Sequence, residues 1–155
     1  MTDNVRIWVE TAHHPAFRCG GWAFVRQDGA VLSGAAGGER SVTPERAVLA
    51  GVAEALKGLP PGAWVEVYTS SRDITALPQR IAGFADGKDP PAENLDLWAQ
   101  VSAALKAVRI VPTAAVAGTP VAFATAWAEL ARDKAKATGG FRSAIPKPNL
   151  AKAGV

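Results

Sequence analysis

The stretch "WVEVYTSSRDI" at residues 64–74 joins an apolar run to the start of a helix, and hydroxyl groups stand at the junction. Its first half has the β-branched and aromatic residues of a strand, and Ser70 or Ser71 is suited to cap the helix that follows. Ligands and metal ions bind at the tips of strands in open α/β sheets. The tip here offers the hydroxyls of Thr69, Ser70 and Ser71 where a metal site would need carboxylates.

Nucleophilic chemistry lacks the partners it requires. Ser70 has neither the Gly-x-Ser-x-Gly turn nor an assigned acid–base pair. Cys19 is the single cysteine, so an internal disulfide and a CxxC metal site are excluded, and no nearby base is identified for it. His13 and His14 lie close to Glu10 and could bind a transition metal, but adjacent side chains diverge. Exposed turn histidines are the favoured interpretation.

The composition is that of one globular domain. The chain has 155 residues, of which 48% are hydrophobic and 20% charged, with a formal net charge of +3. No apolar run is long enough to span a membrane, and the N-terminal "MTDNVRIWVE" lacks the basic-then-apolar pattern of a signal peptide. With one cysteine, these features predict a protein of the reducing cytoplasm that does not bind membranes.

Positive charge is concentrated at the C-terminal end. From residue 132 onward, six Lys and Arg residues stand against Asp133 alone. We predict that residues 138–155 form a flexible basic Gly/Pro/Lys tail after a domain at residues 1–137. Such a tail can attract phosphates, although a merely solvated end accounts for the same composition.

The N-terminal third predicts an antiparallel meander. Residues 5–10 alternate apolar and polar side chains, as a half-buried strand does. Residues 20–38 contain two apolar runs separated by Gln27-Asp28-Gly29, and Asp-Gly between such runs is a strong hairpin signal.

The remainder alternates helices and strands. Residues 43–62 read as a helix, with Thr43 as its cap and Pro44 in the first turn. The other predicted elements are a strand at 64–69, helices at 71–84 and 95–108, a strand at 108–114 and a helix at 121–137. The order β-β-β-α-β-α-α-β-α predicts an α/β fold with a five-stranded mixed sheet flanked by helices.

This order, with the residues it carries, resembles ribonuclease H of the bacterial type over about residues 5–137. The stretches that carry the resemblance are "GGWAFV" (20–25), "ERAVLAGVAEAL" (45–56), "VEVYTSS" (65–71), "NLDLWAQVSAAL" (94–105) and "AELARDKA" (128–135). The Asn-x-Asp-Leu-Trp run is the most specific of them.

The resemblance implies four carboxylates that hold two divalent ions, Mg²⁺ or Mn²⁺, for cleavage of RNA paired to DNA. Carried over position by position, the first carboxylate falls on Glu10 and the second on Glu45. The third, at the tip of the fourth strand, falls on Ser70, and the fourth, at the start of the last helix, falls on Ala128. Two of the four acids are therefore lost.

Candidate replacements are few. Asp73 lies one helical turn past Ser70 and could lean back toward the site, whereas Glu129 and Asp133 are rotated away from the face of Ala128. The candidate catalytic and metal-binding residues are thus Glu10 and Glu45, which we expect to lie close together, with Asp73 as a further metal ligand. The loop at 112–120 lacks the family's histidine, and residues 40–44 lack its asparagines.

Two functions remain open. A catalytically degenerate ribonuclease H-like domain would bind nucleic acid, in particular an RNA–DNA hybrid, or a protein partner, without a cofactor. An active endoribonuclease would cleave the RNA of such hybrids through an altered carboxylate site with Mg²⁺ or Mn²⁺. The loss of two ligands favours the first interpretation, because each ligand stabilises both the ions and the transition state.

Overall fold

The strands form one mixed sheet. In a computed structural model of the chain, which describes residues 4–60, 62–106 and 118–155, five strands pair in the order β4-β1-β2-β3-β5. They are β1 (Asn4–His14), β2 (Cys19–Asp28), β3 (Val31–Glu39), β4 (Trp64–Tyr68) and β5 (Phe141–Ala144). The β1–β4 pair is parallel and the other pairs are antiparallel. The predicted meander and the five-stranded mixed sheet are confirmed.

Helices cover both faces of the sheet. Those of the described residues are α1 (Pro44–Ala55), α2 (Arg72–Thr75), α3 (Leu77–Ala85), α4 (Leu95–Leu105), α5 (Thr119–Thr138) and α6 (Lys147–Leu150). Thr43 caps α1 as predicted, accepting a hydrogen bond from the Arg46 N–H at 3.3 Å. The helix predicted at 71–84 is instead two helices that meet at Ala76, since Pro78 is suited to a first turn and not to a helix interior.

The C-terminal segment differs from the prediction of a flexible tail at 138–155. Its residues 141–144 pair with β3, with Phe141 opposite Gly38 and Ala144 opposite Ala35. The side chains of Ile145, Leu150 and Ala153 are buried against the sheet. Burial of these apolar residues stabilises the segment. The prediction missed them because they are few and separated by Gly, Pro and Lys residues. The strand predicted at 108–114 lies outside the described residues.

Alternation along β1 separates two cores. Val5, Ile7 and Val9 belong to the cluster that contains residues of α1 and α4, whereas Trp8 belongs to the cluster beneath α5 and the C-terminal segment. Successive side chains of a strand point to opposite faces. Glu10 has the parity of Trp8, and its antiparallel partner Ala23 lies in the α5-side cluster, so Glu10 points toward α5.

Helix α5 approaches the sheet closely because both surfaces are made of small residues. A Cβ at Gly21 would overlap the backbone of Ala128 and Arg132, and one at Gly38 would lie 2.8 Å from the Ala131 carbonyl oxygen. The helix side presents Ala124, Ala128, Ala131 and Ala135, all buried. This contact fixes α5 directly over β2 and β3. No helix in the described parts of the chain is both long and apolar enough to cross a membrane.

We predict that Leu150→Ala lowers the free energy of unfolding by about 2–5 kcal/mol, the usual cost of removing a buried leucine side chain. Leu150 is 3% exposed in the cluster beneath α5. Urea denaturation followed by tryptophan fluorescence measures the change. The exposed Lys152 is the control, and Lys152→Ala should leave the midpoint unchanged. Equal midpoints for Leu150→Ala and the wild type would show that residues 138–155 are a loose tail.

Candidate site at the tips of β1 and β4

The parallel pairing of β1 with β4 brings Glu10 beside Ser70. Trp8 and Tyr68 are opposite one another in the register, and the two chains run on in the same direction. Two residues later each reaches the candidate site. The resemblance placed the first carboxylate at the end of the first strand and the third at the tip of the fourth. The structure brings Glu10 and Ser70, which hold these positions, into direct contact.

Both carboxylate oxygens of Glu10 are engaged by Ser70. The Ser70 backbone N–H donates to Oε1 at 2.7 Å, and its hydroxyl donates to Oε2 at 2.8 Å. The Glu10 residue is only 3% exposed. Hydrogen bonds to an ionised carboxylate are short and strong, and a buried carboxyl requires them. Ser70 therefore satisfies the group that the resemblance implies as a metal ligand.

Burial raises the pKa of Glu10 above its ordinary value of 4.5. Desolvation penalises the anion, and the hydrogen bonds from Ser70 and Thr69, which favour the anion, offset this only in part. Glu10 thus holds a proton more readily in the folded chain than in the unfolded one. A divalent ion bound at this carboxylate would have to displace that proton.

Glu45 has different partners. It lies in the first turn of α1, where Arg80 donates to Oε1 at 3.1 Å and the Asn94 side chain donates to Oε2 at 3.2 Å. The Arg80 guanidinium also lies over the Trp98 ring, 4.7 Å from its centroid. Glu45 therefore joins α1 to α3 and to the start of α4. It shares no hydrogen-bond partner with Glu10 among the residues described.

Asp73 is found with Glu45. Both residues line a cavity of about 320 Å³ between α1, α2 and α3, together with Thr43 and Arg80. Asp73, the candidate replacement for a lost carboxylate, therefore lies near Glu45 and the Arg80 guanidinium. That guanidinium is already paired with Glu45 at 3.1 Å.

Ala128 lies in the middle of α5, not at the start of the last helix as the resemblance implied. The helix begins at Thr119, and Ala128 is 0% exposed against the backbone of β2 at Gly21. A methyl group fits this contact and supplies no ligand atom. A carboxylate placed here would be buried in the helix–sheet interface, at the cost of an unpaired charge.

The histidines and the cysteine have structural contacts. His13 Nε2 lies 2.8 Å from the carbonyl oxygen of Val42, and the His14 ring packs against Phe17 with centroids 4.8 Å apart. Cys19 is a buried free thiol. The prediction of exposed turn histidines is wrong, because both histidines lie at the end of β1 and are half-buried. None of the three residues is placed with other ligands to hold a metal among the described residues.

Sequence reasoning missed Arg46, which connects three elements near the site. Its guanidinium bonds Glu39 at the end of β3, and Asn94 and Asp96 at the start of α4, each at 3.3 Å. The hydrogen bond from Arg46 also lowers the pKa of Asp96 below its ordinary value. The signal was the Asn-x-Asp-Leu-Trp run, whose two polar side chains flank the helix start.

The residues present do not fit a pair of divalent ions. Across residues 4–60, 62–106 and 118–155, no group of three or more His, Cys, Asp and Glu residues is placed to hold a metal. Magnesium prefers charged oxygen ligands in near-octahedral geometry. Here Ser70 contributes a neutral hydroxyl that is already donating to Glu10, and Ala128 contributes nothing.

Comparisons with known proteins identify the fold. The sequence matches no protein-family model and no curated protein. One similar structure is LC9-RNase H1, described as a type 1 RNase H with the type 2 active-site motif. The match covers 96% of this chain and 80% of the LC9-RNase H1 chain, with a TM-score of 0.71 and 20% identity. The chain has the ribonuclease H-like fold.

Two further ribonuclease H structures agree. The N-terminal RNase H domain of Rv2228c from Mycobacterium tuberculosis matches 88% of this chain and 97% of its own, with a TM-score of 0.58 and 20% identity. LC11-RNase H1, solved in complex with an RNA/DNA hybrid, matches 84% of this chain and 98% of its own, with a TM-score of 0.60 and 16% identity. At such identities the likeness establishes the ribonuclease H-like fold and leaves the chemistry to be argued from the site.

We predict that Glu10→Gln becomes more favourable relative to the wild type as the pH rises. The folded pKa of Glu10 lies above 4.5, so its contribution to stability is fully present below that pH and is lost as the pH rises through the folded pKa. Glutamine stays neutral throughout and can still accept from the Ser70 N–H. Urea denaturation of both proteins at a series of pH values measures the difference. If the free energy of unfolding of Glu10→Gln instead falls relative to that of the wild type as the pH rises, the folded chain needs the Glu10 anion.

We predict that Ser70→Ala lowers the free energy of unfolding by about 1–3 kcal/mol, because one oxygen of a buried carboxyl loses its donor. Ser143 is the matched control, since its hydroxyl is on an exposed residue and bonds only a neighbouring carbonyl. Ser143→Ala should change stability by less than about 0.5 kcal/mol. Equal effects of the two substitutions would contradict a specific role of the Ser70 hydroxyl.

Proposed function

We propose that this chain is a ribonuclease H-like domain that binds RNA–DNA hybrids and does not cleave them. The observation that carries the proposal is the double hydrogen bond from Ser70 to Glu10. Those bonds occupy both oxygens of a carboxylate at the position implied for the first metal ligand.

The argument against cleavage is energetic. In a two-metal site the ions stabilise both the attacking and the leaving oxygen, which is worth several kcal/mol of transition-state free energy. Each 1.36 kcal/mol is about a tenfold change in rate. In this chain Ser70 and Ala128 stand at two ligand positions, and Glu45 is paired with Arg80. Without the stabilisation by the ions, we expect the cleavage rate to fall by orders of magnitude.

The argument for hybrid binding is weaker and independent. A formal net charge of +3 favours association with phosphate-bearing partners. LC11-RNase H1, whose fold this chain shares, was solved with an RNA/DNA hybrid. Charge and fold together make a hybrid the first ligand to test, ahead of a protein partner.

One observation favours the alternative of an active endoribonuclease with an altered site. Glu45 and Asp73 line the same cavity, so two carboxylates are close enough to face one solvent space. Displacement of Arg80 from Glu45 would be needed before an Mg²⁺ or Mn²⁺ ion could use them. Because that ion pair is partly solvated, its loss costs only about 1 kcal/mol or less.

The purified chain should bind a fluorescein-labelled RNA–DNA hybrid in an anisotropy titration, and binding should weaken as salt is raised, through counterion release. The same hybrid should remain intact on a denaturing gel after incubation with Mg²⁺ or Mn²⁺. Glu10→Gln should bind the hybrid as the wild type does, because the carboxyl is buried.

Two results would contradict the proposal. Metal-dependent cleavage that Glu10→Gln abolishes would establish the active endoribonuclease. Absence of hybrid binding even at low salt would remove the nucleic-acid function and leave a protein partner as the ligand to seek.

A further inference from the structure

A basic surface with an exposed aromatic ring lies at the tip of the β1–β2 hairpin. We call it the hairpin-tip surface and define it by Phe17, Arg18, Arg40 and Lys136. The first two residues are in the turn between β1 and β2, Arg40 follows β3, and Lys136 is in the last turn of α5. All four are exposed.

A cation–π contact and hydrogen bonds hold the three segments together. The Lys136 ammonium lies 3.5 Å from the centroid of the Phe17 ring. Arg40 donates to the carbonyl oxygens of Ala135 and Lys136, at 3.0 and 2.7 Å, and so caps the end of α5. The Val42 N–H donates to the Arg18 carbonyl oxygen at 2.9 Å, which joins the segment after β3 to the hairpin turn. The three segments are therefore joined into one continuous surface.

Its cations are not neutralised by carboxylates. Within the described parts of the chain, Arg18, Arg40 and Lys136 form no ion pair. The pKa of Asp133 is lowered chiefly by the hydrogen bond from Arg132 and also by the charge of Lys136, but its ion pair at 3.0 Å is with Arg132. Three unpaired cations around one site attract an anion that carries more than one charge.

The aromatic ring narrows the class of anion. Phe17 is 55% exposed, with the Lys136 ammonium over its ring and the His14 ring packed edge-on against it. Surfaces that bind unpaired nucleic-acid strands combine cations along the backbone with an aromatic side chain on which a base stacks. In a duplex the bases are already stacked on one another, so an exposed ring is useful chiefly to an unpaired base.

We propose that the hairpin-tip surface binds an unpaired strand of nucleic acid, with phosphates at Arg18 and Lys136 and a base against Phe17. Arg40 holds the end of α5 in place and adds positive charge. The inference rests on the proposed function, since it assigns a contact surface and a strand type to a nucleic-acid-binding domain. It is distinct from the strand-tip site of Glu10 and Ser70.

The test uses the full chain and a fluorescein-labelled single-stranded DNA, with anisotropy titrations at several salt concentrations. Arg18→Gln with Lys136→Gln should weaken binding and reduce the slope of log affinity against log salt by about 1.4, at 0.7 per lost phosphate contact. Phe17→Ala should weaken binding about tenfold with the slope unchanged, and Phe17→Trp should restore it. Lys57→Gln with Lys147→Gln, which removes the same charge from exposed residues elsewhere, should have little effect.

The outcomes separate this inference from the proposed function. Equal weakening by the two charge pairs, or no effect of Phe17→Ala in a folded protein, would overturn the hairpin-tip assignment. Binding of the blunt hybrid without binding of the single strand would also overturn it and leave the proposed function standing. Failure to bind either probe would overturn both.

Discussion

A carboxyl group removed from water must be hydrogen-bonded or protonated, and this constraint decides the character of the strand-tip site. Glu10 points from β1 into the layer beneath α5 and meets Ser70 at the tip of the parallel neighbour β4. The contact needs a donor at position 70, which serine supplies through both its N–H and its hydroxyl. A carboxylate at this position would accept and not donate, and two like charges would lie at hydrogen-bond distance. The site is built around one acid and one donor.

The packing of α5 is consistent with the same account. Its alanine side rests on glycines of β2 and β3, and this closeness buries Ala128 and closes the layer into which Glu10 points. In a metal site the same layer would have to admit ions and water. Small residues here give tight packing in place of that access. The burial of Glu10 raises its pKa.

Much of the fold was predictable because its signals are local. The Asp28-Gly29 turn, the Thr43 cap and the alternation of residues 5–10 each act within a few residues. The C-terminal strand was missed because β5 has only four residues and is defined by its pairing with β3, a contact distant in sequence. The resemblance placed Glu10 and Ser70 at strand ends, but their direct contact follows from the parallel pairing of β1 with β4, which the sequence did not predict. The sequence also could not show that Glu45 turns to Arg80 and Asn94, because those partners come from other helices.

The central claim is that Glu10 is a buried, hydrogen-bonded acid and not a metal ligand. The direct measurement is a ¹³C NMR titration of the Glu10 side-chain carboxyl, assigned by comparison with Glu10→Gln, in the presence and absence of Mg²⁺. The account predicts a pKa above 4.5 that Mg²⁺ does not change, because burial sets it and no ion competes with the proton. A pKa below 4.5, or one that falls when Mg²⁺ is added, would show that the carboxylate is held as an anion for a metal and would contradict the account.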